Sequence, residues 1–572
     1  MGSMSAVAPQ KSRGGNHLPT IGCIVLLLAM AVLPYLRVIT QGYFLETDFI
    51  EIRLHSNKSA KDFPPLFLGD WSMGMFRSES REMRPLIALS YTADYALWGA
   101  SARGFHTSNV LGHAANIVLL FFIAYLLTDR DRMTALLSAA LFATLPVHGP
   151  AVSWIAARVD VFCGFFWLAA VLCLICFLRS DSTWAYVSSL LFFTAGLFSK
   201  ETVLVLPALL AACVLFYRSR RPTARVGAGP LLAPFLLILA FYLLLRHLAF
   251  GNPIDSDVAD LPAFVTRLPS RLGLLLVPMA RDLWAQNLGA LGLLASAASG
   301  ILVVFFGVSV YRDRRALGRA RPMVLLGCAW CCIALLPLVA RGGGTERNLY
   351  IPSAGFCLAV APLLVALCRY RTGAWRAVAS LCIMLFLLIN AGVLIGKNES
   401  WVKAGSVSRK LHLDFSHLAA SIPKGSFVLF LNPLHEGGGR VWQFALPFAL
   451  QEPFSSVYRD LVVLETPEDL VVLKWTTRQV YCCPLEYWWE HRKASFQYLL
   501  SRSSPVYVAL WDAGKGRLRT ILVKQEVMAC LRQQMRGLRF TQSMALSLVP
   551  SLIAVPPRCP AGSGRTPPVP RS

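Results

Sequence analysis

Charge is what this chain has least of. Asp, Glu, Lys and Arg make up only 15% of its residues, and acids are the scarcer sign, 31 against 55 bases. A soluble domain carries about 25%, so a water-soluble globular class is excluded. Familiar nucleotide and catalytic signatures are missing too. There is no P-loop, no dinucleotide-binding glycine motif, no HExxH and no nucleophile elbow. Two GGG runs, 342–344 and 437–439, lack the strand–loop–helix setting and lysine of a phosphate loop. Soluble ATP is therefore not the expected energy source. No 34-residue helical repeat follows the apolar region.

What the chain has is hydrophobic residues, at 55%, and a mean hydropathy of +0.54. Apolar segments of about 18 to 22 residues recur, each long enough for a hydrocarbon core of about 30 Å. Backbone polar groups in lipid must be satisfied within the segment, which predicts helices. The expected fold class is an all-α polytopic membrane bundle followed by a small extracytoplasmic mixed α/β domain. Eleven spans are expected near residues 19–40, 106–127, 133–147, 159–178, 183–199, 202–217, 230–249, 288–310, 322–340, 349–368 and 377–396. The first is read as a retained helix, since it is long and lacks a small-residue cleavage site. Segment 264–284, whose arginines flank a short apolar centre, is read as interfacial or re-entrant.

The net charge of +24 first suggests nucleic acid, but its distribution argues against that partner. RSRRPTAR (218–225), YRDRRALGRAR (311–321) and RYRTGAWR (369–376) sit between apolar segments, where basic loops mark the cytoplasmic side. Membrane lipid is the expected partner. The resulting organisation is a cytoplasmic tail (1–18), a membrane domain (19–396) with a long first external loop (41–104), an extracytoplasmic carboxyl domain (397–555) and a disordered tail (556–572). The fifteen cysteines are scattered. CLIC (173–176) lies within a span and reads as packing, while Cys482 and Cys483 leave a disulfide open.

With this topology, unusual polar groups gather at the outer ends of the helices. Glu46, Asp48 and Glu51 follow the first span, and Arg84 ends the long loop. His148, Arg158 and Asp160 bracket the next external turn. Lys200 and Glu201 form another, Arg246 ends a span, and Glu346 and Arg347 precede one. In FHTSNVLGHAAN (105–116), His106, Asn109, His113 and Asn116 fall within an arc of roughly 80° on one helix. Lipid punishes such a stripe. Its expected environment is an outward cavity for His106, with interhelical hydrogen bonding equally open for His113 and Asn116. Each group alone has a plain reading as a surface pair, an end-of-helix cation or a solvated acid; their convergence suggests a polar cavity.

Four blocks in order carry a resemblance. RPLIALSYTADYALWGASARGFHTSNVLGH, LFATLPVHGPAVSWIAARVDVF, LFSKETVLVLP and ERNLYIPSAG resemble segments of polytopic GT-C glycosyltransferases. Among these the blocks resemble the protein O-mannosyltransferases, the TPR-bearing transmembrane mannosyltransferases and bacterial homologues. The resemblance implies a polyprenyl-phosphate sugar donor and a glycan, lipid or protein acceptor. It also implies an acidic base in the first external loop. The usual contiguous acidic pair there is split here as Glu46-Thr47-Asp48, with Asp48 the candidate base and Glu46 its partner. Arg84, Lys200, Arg246 and Arg347 are candidates for the donor phosphate. His106, Asn109, His148, Arg158, Asp160 and Glu201 are candidates for positioning substrate. No cofactor is expected beyond the lipid-linked sugar, and a divalent metal is not favoured. A bacterial inner membrane is the favoured location, or the endoplasmic reticulum in a eukaryote, with the amino end cytoplasmic and the carboxyl end extracytoplasmic. A transporter or flippase would concentrate ionisable groups near the bilayer centre, and a non-catalytic envelope-binding relative is the other alternative.

Overall fold

The computed structural model describes residues 20–56, 58–71, 82–220, 228–251, 272–276, 284–312, 314–340, 345–370 and 373–431, with shorter pieces at 435–436, 439–440, 449–457, 461–465, 505–512, 515–523, 525–526 and 528–529. The helices are α1 (Thr20–Val32), α2 (Leu36–Gln41), α3 (Glu46–His55), α4 (Pro85–Trp98), α5 (Ala102–Leu127), α6 (Arg132–Thr144), α7 (Gly149–Ser153), α8 (Arg158–Ser180), α9 (Thr183–Leu197), α10 (Leu206–Arg220), α11 (Ala228–Phe250), α12 (Trp284–Arg312), α13 (Arg314–Ala340), α14 (Tyr350–Tyr370) and α15 (Ala374–Ser421). Among the described residues, nine helices are long and apolar enough to cross a membrane, so the chain is a multi-pass membrane protein. The bent pair α6–α7 makes a tenth candidate, and α9, apolar but 15 residues long, occupies the remaining expected segment. All eleven expected segments are thus helical, although not all are full-length spans. Segment 264–284 falls mostly outside the described residues; its residues 272–276 are helical.

Local chemistry sets the helix ends. Asp131 caps α6, accepting from the Met133 N–H at 3.1 Å. Pro85 occupies the first turn of α4, where no intrahelical N–H bond is lost. Gly99, at φ +60, permits the turn from α4 into α5. Pro146 interrupts the α6–α7 pair, which bends by 51°. Close packing fixes the bundle. A Cβ on Gly327 of α13 would lie 2.5 Å from the Gly355 carbonyl oxygen of α14, so two small residues let these helices meet.

The structure departs from expectation in two places. The long loop 41–104 contains two helices, α3 and α4. The last helix does not stop near 396, because α15 runs unbroken to Ser421. Beyond it lie β1 (Ser426–Leu431), β2 (His435–Glu436), β3 (Gly439–Arg440), β4 (Leu461–Glu465), β5 (Val506–Asp512) and β6 (Arg517–Leu522). The main sheet has the order β4-β1-β5-β6, with β1 parallel to β4 and β5, and β6 antiparallel to β5. Phe44, Phe49 and Phe105 share a buried cluster with Phe415, Val428, Phe430 and Trp511. That cluster ties α3, α5, α15 and the sheet together.

Candidate active site

Helix α3 starts where Asp48 captures its first turn. The Leu45 N–H donates to Asp48 Oδ2 at 2.8 Å, and the Ala156 N–H donates to Oδ1 at 2.7 Å. One buried carboxylate therefore caps α3 and fastens it to the turn before α8. Residues four apart share a helix face, so Thr47 and Glu51 point the same way. Both line a cavity of about 270 Å³.

The cavity lies where several helices begin. Arg84 stands at the start of α4, Asp160 in the first turn of α8, Lys200 and Glu201 before α10, and Arg347 before α14. Trp71, Glu82 and Trp154 complete its polar and aromatic wall. The Arg84 guanidinium donates to Glu82 at 2.7 Å and to Glu201 at 3.1 Å. The Trp71 indole N–H holds the other Glu82 oxygen at 2.9 Å. Lys200 pairs with Asp160, whose second oxygen lies 3.7 Å from Arg347 Nε. Arg347 also covers the Trp154 ring, 4.9 Å from its centroid. Arg246 stands behind the wall and braces Glu201 at 3.6 Å. Two guanidinium nitrogens in this wall, Arg84 Nε and Arg347 Nε, are buried without a hydrogen-bond acceptor.

Burial shapes the proton affinities. Loss of solvent pushes Asp48 up to about 7 against the pull of its two backbone donors and Arg158. Burial, then repulsion from Glu82, holds Glu51 well above the usual carboxylate range, with Arg84 opposing. Burial, with Lys58 adding, drops His55 to about 3, so its ring is neutral. Burial also opposes the charge on Arg84, but Glu201 and Glu82 outweigh it and its pKa is raised.

The cavity brings together Arg84, Asp160, Lys200, Glu201 and Arg347 from the sequence-derived candidates. Asp48 lies directly behind it through Ala156, and Glu46 is buried on α3 outside the lining. The remaining candidates serve as seams between helices. His106 packs against the backbone of Gly42, where a Cβ would come within 2.6 Å of its ring. The Asn109 amide donates to the carbonyls of Val152, Trp154 and Ile155 at 3.3–3.4 Å. Asn116 donates to the Val161 carbonyl and the Tyr350 hydroxyl, both at 2.9 Å, and His113 shares a 2.7 Å hydrogen bond with that hydroxyl. His148 bonds Ser353 at 2.8 Å. Arg158, fully buried, pairs with Asp94 at 2.7 Å and lies over Tyr91. Sequence reasoning noted Glu51 only as one more acid and passed over Thr47, Glu82, Trp71 and Trp154. The one signal for Glu51 was its position one turn after the acidic motif. Among the described residues, no group of three or more His, Cys, Asp and Glu side chains is placed to hold a metal.

Residues 84–249 match the family model described as dolichyl-phosphate-mannose-protein mannosyltransferase. The chain is 27% identical over 309 residues to protein O-mannosyl-transferase Tmtc1 of Drosophila melanogaster, covering 50% of this chain and 35% of that protein. It is 31% identical over 176 residues to human protein O-mannosyl-transferase TMTC1, covering 30% and 19%. The chain therefore spans about a third or less of the length of these two relatives. Among solved structures, ArnT from Cupriavidus metallidurans bound to undecaprenyl phosphate aligns over 88% of this chain and 98% of its own, at 14% identity and a TM-score of 0.43. The family match covers three of the four blocks that carry the sequence resemblance, ERNLYIPSAG lying beyond it, and the likeness to membrane glycosyltransferases of the O-mannosyltransferase group stands.

Proposed function

We propose that this chain is an integral-membrane glycosyltransferase that moves a sugar from a polyprenyl-phosphate donor to an acceptor hydroxyl on the extracytoplasmic face. The observation that carries the reading is the convergence of Arg84, Lys200 and Arg347 in one cavity wall, where Arg84 Nε is buried without an acceptor. A buried unpaired donor costs about 1–3 kcal/mol. A phosphate oxygen would give it an acceptor, and guanidinium suits phosphate geometry. The names of the relatives favour the same chemistry.

A phosphate-linked sugar is already activated, so the site has three tasks. It holds the donor phosphate, stabilises the charge that develops as the phosphate leaves, and removes the acceptor proton. Arg84, Lys200 and Arg347 take the first two, with Arg246 positioning Glu201. Asp160 fixes Lys200 and Arg347. The proton acceptor is a carboxylate of α3, the helix that carries Glu46, Asp48 and Glu51. The acceptor is a glycan, lipid or protein hydroxyl, and the lipid-linked sugar is a co-substrate rather than a resident cofactor. The basic ends of α10, α12 and α14 lie on the cytoplasmic side in this reading. The sheet-bearing region within 397–555 stands outside, in a bacterial inner membrane or in the endoplasmic reticulum.

The test uses the full chain in nanodiscs with dolichyl-phosphate mannose and undecaprenyl phosphate as probes. Arg347→Ala is expected to weaken binding of both lipids about tenfold, and Arg84→Ala more. Equal affinity in wild type and both variants would falsify the phosphate assignment.

A further inference from the structure

The cavity wall contains four carboxylates, and their partners differ. Glu82 is tied to Arg84 and Trp71, Asp160 to Lys200 and Arg347, and Glu201 to Arg84 and Arg246. A carboxylate held by a cation has its lone pairs engaged by that partner. Glu51 differs from these three. Among the described residues no Lys or Arg nitrogen comes within 4.0 Å of it, and its Oε2 is buried without a hydrogen-bond partner. The uncharged His55 ring lies 3.5 Å from that oxygen, one turn along α3. That ring is itself fixed, stacked on Trp71 at 5.3 Å and beside Tyr91 at 6.1 Å.

Resting on the transfer reading, we infer that Glu51 is the general base that takes the acceptor proton, and that Asp48 is a positioning residue holding α3 against the turn at Ala156. Proton affinity does not separate the two, since burial raises both. Geometry does. A general base must reach the proton it abstracts. Asp48 has each oxygen occupied by a backbone N–H and sits behind the wall, whereas Glu51 is in the wall. Thr47, whose buried hydroxyl also lacks a partner, shares the Glu51 face.

The step balances as follows. The acceptor oxygen forms a bond to the sugar C1 as the C1–O bond to phosphate breaks. That bonding pair leaves on the polyprenyl phosphate, which departs as a monoester. The acceptor proton ends on the Glu51 carboxylate. The groups facing Glu51 are Asp48 and His55 on its own helix and Asp70, Glu82, Arg84 and Tyr91 from neighbouring segments. Arg84 is the one cation among them, so transfer should rise with pH as Glu51 ionises.

The experiment compares Glu51→Gln, Glu51→Ala and Asp48→Asn in the full chain in nanodiscs. Dolichyl-phosphate mannose serves as donor probe and a threonine-rich peptide as acceptor probe; release of dolichyl phosphate is the readout. Glu51→Gln is expected to lower kcat by at least about 100-fold and to flatten the pH profile, with donor binding within about twofold of wild type. Formate should restore part of the activity of Glu51→Ala. Asp48→Asn should lose thermal stability, keep the pH profile and gain nothing from formate. A Glu51→Gln rate within about threefold of wild type, or rescue of the Asp48 variant alone, overturns this inference while the transfer reading stands. A wild type that neither binds nor releases polyprenyl phosphate overturns the transfer reading and this inference with it. Infrared spectra of the donor-free protein add a second readout. A carboxyl band that vanishes in Glu51→Gln and whose loss with rising pH tracks the rise in transfer supports the inference, and a Glu51 band that titrates without any matching change in transfer opposes it.

Discussion

The two ends of the bundle carry the same residue types and use them differently. At the end away from the cavity, Arg369 pairs with Asp131 at 2.6 Å, and Arg179 and Arg220 approach Asp129 at 3.6 and 3.5 Å. Those side chains remain partly in solvent; Arg369 is 49% exposed and Asp129 63%. Arg179 and Arg220 spend their donors on the last carbonyls of α5, at Leu126 and Leu127, as helix ends require. At the cavity end the pairs are enclosed: Arg158 has no exposed side chain, and Arg84 has 9%. A screened pair contributes about 0–1 kcal/mol. An enclosed pair loses hydration on both sides and leaves a stranded charge if one member is removed. The first end keeps its charges partly in solvent. The second has the low-solvent setting that the proposed phosphate site requires.

The comparison can be broken most easily at Arg158. Arg158→Ala strands Asp94 and uncovers Tyr91, and is expected to cost about 3–5 kcal/mol in detergent unfolding; a loss under 1 kcal/mol would make the two ends alike. A smaller effect is the pH dependence imposed by Asp48. Its folded pKa, about 7, lies above its ordinary 3.8, so between those values the folded chain binds more protons than the unfolded one. Its stabilising contribution is complete below about pH 4 and is lost as pH rises through about 7. Thermal scans across that range should show the slope in wild type and its removal in Asp48→Asn. The smallest effect is expected at the exposed end, where Arg369→Ala should cost under about 1 kcal/mol and vanish in high salt.

Helix positions were legible because lipid demands long apolar segments, and all eleven expected segments appear as helices. The convergence of Arg84, Asp160, Lys200, Glu201 and Arg347 was legible because alternating spans return every second turn to the same side. The polar stripe from His106 to Asn116 was harder to read. Its residues are buried between helices, where carbonyls freed by the irregular turns at 152–155 and the Tyr350 hydroxyl supply partners. Pattern alone does not distinguish that seam from a cavity wall. Glu51 was harder still, because its role depends on the rotation of α3, which Asp48 fixes through the distant Ala156 N–H. The continuation of α15 was hidden by its change from apolar to mixed composition, although Ser153, Asn398 and the Pro34 carbonyl anchor it within the fold.

At 48 residues, α15 is a rod of about 72 Å, more than twice the hydrocarbon thickness. Its Trp401 stacks on Trp154, with centroids 6.1 Å apart, and Trp154 underlies Arg347. One continuous helix therefore joins the β-sheet to the rim of the cleft, and a single indole stack is all that separates it from a guanidinium of the wall.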